Sequence, residues 1–124
     1  MNKKEFEAVL KVSAEIRYEY FIKKIVDYEE IWGLYDNGWV TTIDENKRVL
    51  IPLWPKKEFA EYCARNEWKE TIAKSIDLYE FIEEWIPEMK KDKQSTSIFW
   101  NNKDSVYRTA DNLINDIMLE LENY

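Results

Sequence analysis

Residues 31–55 read IWGLYDNGWVTTIDENKRVLIPLWP and hold both glycines of the chain, two of its three prolines and three of its six tryptophans. Asp36-Asn37-Gly38 is a turn signal between two β-rich runs. Two registers compete. A two-residue loop at Asn37-Gly38 pairs Asp36 with Trp39 and leaves the face carrying Trp32, Leu34 and Thr41 mixed. A three-residue loop at Asp36-Asn37-Gly38 puts Gly38 in the left-handed position, pairs Tyr35 with Trp39 and pairs Leu34 with Val40. The second is favoured because it gathers Trp32, Leu34 and Val40 on one face, where Trp32 is expected in the core. On the other face it sets Gly33 beside Tyr35 and Trp39, so that a ring covers the bare glycine. A second turn at Asp44-Glu45-Asn46-Lys47 leads to a third strand, in which Val49, Ile51 and Leu53 share a face. Pro52 cannot donate to a ladder, so this strand, or its end, is expected at an edge.

Outward from this stretch the period changes from 2 to 3.6. From Glu5 to about Tyr28 there is neither Gly nor Pro, and Phe6, Leu10, Ala14, Tyr18, Phe21, Ile25 and Tyr28 recur at helical steps. Ile16, Tyr20, Ile22 and Val26 widen that stripe. Pro55 is positioned to start a helix with Phe59, Tyr62 and Cys63 inward. Residues 69–76 read as a short strand. Asp77 with Glu80 is a capping-box-like start for a helix that buries Leu78, Phe81, Ile82 and Trp85 and ends at Pro87. After a polar loop, residues 96–100 and 105–109 form a second hairpin, and Thr109 caps a last helix with Leu113, Ile114, Ile117, Met118 and Leu121 inward. The expectation is a single α+β domain over residues 1–124: an antiparallel sheet of four to six strands, built from hairpins and packed with about four helices.

At 124 residues, 45% hydrophobic and 15% aromatic, the chain is long enough for one core that buries roughly two thirds of its unfolded surface. Eighteen basic against 25 acidic residues give a net charge of −7, which repels phosphate backbones and anionic headgroups, so neither nucleic acid nor membrane is expected as a partner. No apolar run approaches the roughly 18 residues of a membrane span, and no leader segment is recognisable. The single cysteine, Cys63, fits a reducing compartment, so a cytoplasmic protein is expected.

There is no histidine. That removes Ser-His and Cys-His dyads and histidine-containing zinc sites. Two glycines cannot build a phosphate loop. Glu29-Glu30 and Glu83-Glu84 are adjacent acids, which point apart on a helix and read as solvated faces rather than paired catalytic groups. No catalytic residue, metal site or cofactor is therefore expected. The candidate binding residues are Arg17, Tyr20 and Lys24, which share a helical strip, together with Tyr35, Trp39 and Trp54. The last three are expected to form a partly exposed aromatic patch near Arg17. A plainer alternative makes Arg17 a packed stem whose head pairs with an acid.

The segments RYEYFIKKIVDYEEIWGLYDNGW, IPLWPKKEFAEYC and LYEFIEEWIPEM closely resemble the family described as domain of unknown function 2750. The likeness runs from about Phe6 into the last helix and is most specific at WGLYDNGW and PLWP. It implies a small bacterial cytosolic single-domain protein and carries no catalytic residues with it. Size and acidity are also similar to those of immunity proteins of bacterial toxin systems, an analogy of type alone. Two functions follow as expectations. One is a protein-binding module, of immunity or adaptor type, acting on another protein, such as a basic toxin-like partner, through an acidic, aromatic-rich surface. The other is a ligand-binding or enzymatic domain for a small anionic or planar molecule, possessing a pocket near Arg17 and the 31–55 region.

Overall fold

The three-residue turn is present in the computed structural model, which describes residues 1–124. Tyr35 and Trp39 face each other as an antiparallel bridge, and the Val40 N–H donates to Leu34 O at 2.9 Å. Asn37, rather than Gly38, takes the left-handed conformation (φ 56°). Asparagine tolerates that region well, and Gly38 beside it sits at φ 159°, which L side chains rarely adopt.

Five helices and six strands follow one another along the chain. Helix α1 spans Lys3–Lys11 and α2 spans Ala14–Tyr28. Strands β1 (Glu30–Tyr35), β2 (Thr42–Ile43) and β3 (Val49–Leu53) come next. Helix α3 (Lys57–Cys63) and a 3₁₀ turn (Asn66–Trp68) precede β4 (Ile72–Asp77). Helix α4 occupies residues 78–91, and β5 (Ser95–Ile98), β6 (Val106–Thr109) and α5 (Ala110–Leu121) complete the order.

The long first helix expected from the sequence is two helices. Val12 is extended (ψ 167°), and the Ser13 hydroxyl caps α2 by accepting from the Ile16 N–H at 3.3 Å. A serine cap outcompetes helix continuation because its side chain satisfies an orphan donor of the new first turn. Helix α3 begins two residues after Pro55 and ends at Cys63. Helix α4 runs past Pro87 instead of stopping there. Its middle, Phe81–Trp85, is a π-helical turn in which the Ile86 N–H donates to Phe81 O, five residues back. That wider turn re-registers the ladder just where Pro87 has no N–H to give.

The six strands form two sheets. Strands β1 and β4 pair antiparallel from Glu30↔Asp77 to Tyr35↔Ile72. The second sheet has the order β2-β3-β5-β6, with β5 and β6 as the expected hairpin. It is not antiparallel throughout, because β3 and β5 run parallel, Leu50 beside Ser95 and Leu53 beside Ile98. A strand buried on both faces reads as a continuous apolar run, and VLIPL is one. Strand β3 is consequently interior to its sheet. Pro52 is tolerated because β2 covers only Val49 and Leu50. Beyond the proline, Trp54 and Trp32 exchange both backbone hydrogen bonds, at 2.8 and 2.9 Å, and so stitch the two sheets together.

The core lies between these sheets and the helices, with Phe21, Ile25, Leu53, Phe59, Phe81, Phe99, Leu113 and Ile117 fully buried. Each such side chain contributes about 1.5–3 kcal/mol relative to exposure. Three members of the expected stripes lie outside: Ile16, Tyr28 and Met118 are 51%, 57% and 48% exposed. Helix α2 packs on α5 and β6 through a polar knot. The Tyr18 hydroxyl donates to Asp116, and Arg108 donates both to that hydroxyl, at 3.2 Å, and to Asp116.

Candidate functional site

The six residues singled out from the sequence fall into separate places. Arg17 is buried at 1% exposure, and its guanidinium donates to Phe99 O, Val12 O, Asp104 O and an Asp104 carboxylate oxygen. The carbonyl it takes from Val12 is one that the break between α1 and α2 sets free. Arg17 is thus the packed stem of the plainer alternative. Tyr20 donates to Glu5 at 2.6 Å and meets Phe59 and Phe99. Lys24 stands over the rings of Tyr20 and Tyr28.

Trp54 overturns the expectation of a partly exposed patch containing Tyr35, Trp39 and Trp54. It is completely buried, its Nε1 donates to Trp100 O at 2.9 Å, and Trp68 meets it edge-on. Trp32, expected in the core, is instead half-buried at the surface, with Nε1 donating to Glu30 at 3.2 Å. The exchange follows from the bridge between these two residues: it draws Trp54 under the segment after β5, which the sequence pattern of β3 does not reveal.

Tyr35 and Trp39 do stay together, and they have company that the sequence pattern missed. Trp39 stands edge-on to Tyr35 at 5.3 Å and to Trp85 at 5.0 Å between centroids. Trp85 belongs to the π-helical turn of α4 and in turn leans on Phe81. Trp39 and Trp85 wall a groove of about 470 Å³ whose lining also includes Ile51 and Met89. Glu84 and Glu88, one helical turn apart, line it too; both are exposed and neither makes an ion pair within the chain. Lys74 of β4 lies 4.0 Å from the Tyr35 centroid and 5.5 Å from that of Trp39. The aromatic pair therefore already accepts one cation from its own chain. An apolar groove with unpaired carboxylates beside it can take the stem and the charged head of a lysine or arginine at once. The available signal was the spacing of Glu84, Trp85 and Glu88, of which the sequence pattern puts Trp85 on a core face and Glu84 on a solvated one.

A second concavity, of about 590 Å³, lies between β2, the 3₁₀ turn and residues 97–105. Cys63 is among its lining residues, donates to Trp100 O at 3.1 Å, and has its thiol pushed up to about 11 by burial. It is fully protonated at neutral pH and so carries no thiolate nucleophile. No group of three or more Cys, Asp or Glu side chains is placed to hold a metal ion, and no helix is long and apolar enough to cross a membrane.

Comparison with known proteins finds no significant match among curated proteins or among solved structures. One family model, described as protein of unknown function (DUF2750), matches residues 18–117. That span includes β1, the Asp36–Gly38 turn, β3, α4 and most of α5, and with them both concavities. The chain belongs to the DUF2750 family.

Proposed function

We propose that this chain is a non-catalytic protein-binding module of immunity or adaptor type, working in a bacterial cytoplasm, and that it grips a basic side chain of a protein partner in the Trp39–Trp85 groove. The observation that carries this reading is the pair of half-buried indoles beside two exposed, unpaired glutamates. Tryptophan walls supply apolar area at small entropic cost, and carboxylates beside them select a cation. The net charge of −7 adds long-range attraction for a basic protein and repels nucleic acid and anionic membrane. Tyr35 belongs to the site through Trp39 and Lys74, whereas Arg17, Tyr20 and Trp54 hold the fold and Lys24 lies apart from the groove.

Affinity capture from the native cell with four baits tests it: the unaltered chain, Trp39→Ala, Trp85→Ala, and Glu84→Gln with Glu88→Gln. A basic protein should be enriched by the unaltered bait and weakened by about 2 kcal/mol or more in each tryptophan variant. The glutamate pair should lower the association rate and make it less sensitive to salt. A partner retained equally by all four baits, or an acidic one, overturns the reading.

A further inference from the structure

We propose that the cleft between β2, the 3₁₀ turn and residues 97–105 binds a small aromatic monocarboxylate, with Arg65 as its anion clamp. The site shares no residue with the Trp39–Trp85 groove, so the two readings stand or fall separately.

The four arginines of the chain differ in one respect. Arg17, Arg48 and Arg108 each donate to an aspartate, namely Asp104, Asp44 and Asp116. The Arg65 guanidinium has no such partner, although its backbone N–H donates to Cys63 O at 2.9 Å. Its guanidinium lies over the Tyr62 ring, 4.4 Å from the centroid, and Tyr62 is itself held edge-on by Phe6. A guanidinium fixed by its face keeps its five in-plane N–H donors for an incoming acceptor, and a carboxylate matches them two at a time.

The surroundings of Arg65 select a flat molecule of limited charge. Trp68 and Trp100 line the same cleft, whose volume of about 590 Å³ lies in the range of small-molecule sites. The Trp68 indole and the Trp100 backbone are set in place beforehand. Trp68 stands edge-on against the buried Trp54, and the Trp100 carbonyl accepts from Trp54 and from Cys63. Asp44 is occupied by Arg48 at 2.6 Å, so Glu67 is the remaining carboxylate in the lining. One fixed cation against one carboxylate accommodates a monoanion and repels a second charge, which favours a carboxylate over a phosphate. Ser97 and Ser105, bonded to each other at 2.8 Å, offer hydroxyls to a polar substituent on the ligand's ring.

Nuclear magnetic resonance of the indole N–H signals tests this on the full chain, with Trp68→Phe and Trp100→Phe assigning the two resonances. The probes are para-hydroxybenzoate, its neutral amide, and phenyl phosphate. Para-hydroxybenzoate should shift the Trp68 and Trp100 signals saturably and leave Trp39 and Trp85 still. Arg65→Gln, at an exposed position, should keep the melting temperature and raise the Kd about tenfold or more. The amide should bind as weakly to the unaltered chain as the acid does to Arg65→Gln. The inference is overturned by the absence of a saturable shift up to about 10 mM. It is equally overturned by an acid affinity unchanged in Arg65→Gln, by equal binding of the amide, or by tighter binding of phenyl phosphate.

Discussion

The Trp39 ring covers Gly33 so closely that a Cβ on the glycine would sit 3.1 Å from indole Cε3 and Cζ3. Gly33 is a β1 residue paired with Lys74, and Lys74 reaches over the same indole from the partner strand. Gly33→Ala should therefore push Trp39 by a few tenths of an ångström and destabilise the domain by about 1–2 kcal/mol, as overpacking does. In a Trp39→Ala background the same substitution should cost much less. Urea midpoints of the two singles and the double measure the coupling; additive effects would show that the ring does not constrain Gly33.

Arg17 is the keystone of the 99–105 segment, joining Phe99 and Asp104 to the Val12 break. Arg17→Met should cost about 3–5 kcal/mol, since three carbonyls lose a buried donor at once. Asp104 is 60% exposed at its side chain, and Asp104→Asn leaves its backbone carbonyl in place. That variant should cost no more than about 1 kcal/mol. A thermal unfolding series on both variants would reveal whether the carboxylate or the carbonyls matter more.

Trp54 and Trp39 should part company when truncated. Trp54→Ala opens a cavity in the core and leaves the Trp100 carbonyl with only the weak Cys63 thiol donor, a loss of about 3–5 kcal/mol, so calorimetry should show a greatly lowered or absent transition. Trp39→Ala, at a half-buried site, should keep a cooperative transition and lose about 1–2 kcal/mol. Equal losses would contradict the burial difference.

Stability should decline at both ends of the pH range. Burial pushes the Cys63 thiol from 9.0 to about 11 and raises the Tyr18 and Tyr20 phenols, which also donate to Asp116 and Glu5. Groups raised on folding add stability that is complete below their unfolded values and lost as pH rises through the folded ones. Urea midpoints should thus begin to fall near pH 9, less steeply in Cys63→Ala. Glu5 is held below the usual carboxylate range by the Tyr20 hydroxyl, so its contribution to docking α1 is present above about pH 4.5 and lost as pH falls through the folded value. Iodoacetamide at pH 8 should meet about a hundredfold less thiolate in the native chain than in urea.

Features that depend on neighbouring residues were legible in the sequence. The Asp36-Asn37-Gly38 register is set by which side chains share a face. The caps at Asp77 and Thr109 need only a side-chain oxygen beside the next two or three N–H groups, and both are made, at 3.0 to 3.1 Å. Ser13 belongs to the same class, but the apolar stripe runs on through it and masks the cap; only its competition with helix continuation distinguishes the two outcomes. Trp85 was legible as an inward residue of α4 but not as a groove wall. Its neighbour across the groove, Trp39, comes from another element altogether.

Composition and local pattern thus account for the α+β class, the hairpins, and the absence of phosphate loops and histidine chemistry, because each depends on residue types or on spacings of a few positions. The parallel pairing of β3 with β5, the burial of Trp54 in place of Trp32, and the two concavities depend on contacts between distant segments. The Trp54–Trp100 hydrogen bond spans 46 positions and the Arg17–Asp104 contact 87. No period in the sequence encodes such a separation. Those contacts form where the largest apolar surfaces can be covered together, so the choice among six tryptophans is made by the packing of the whole chain.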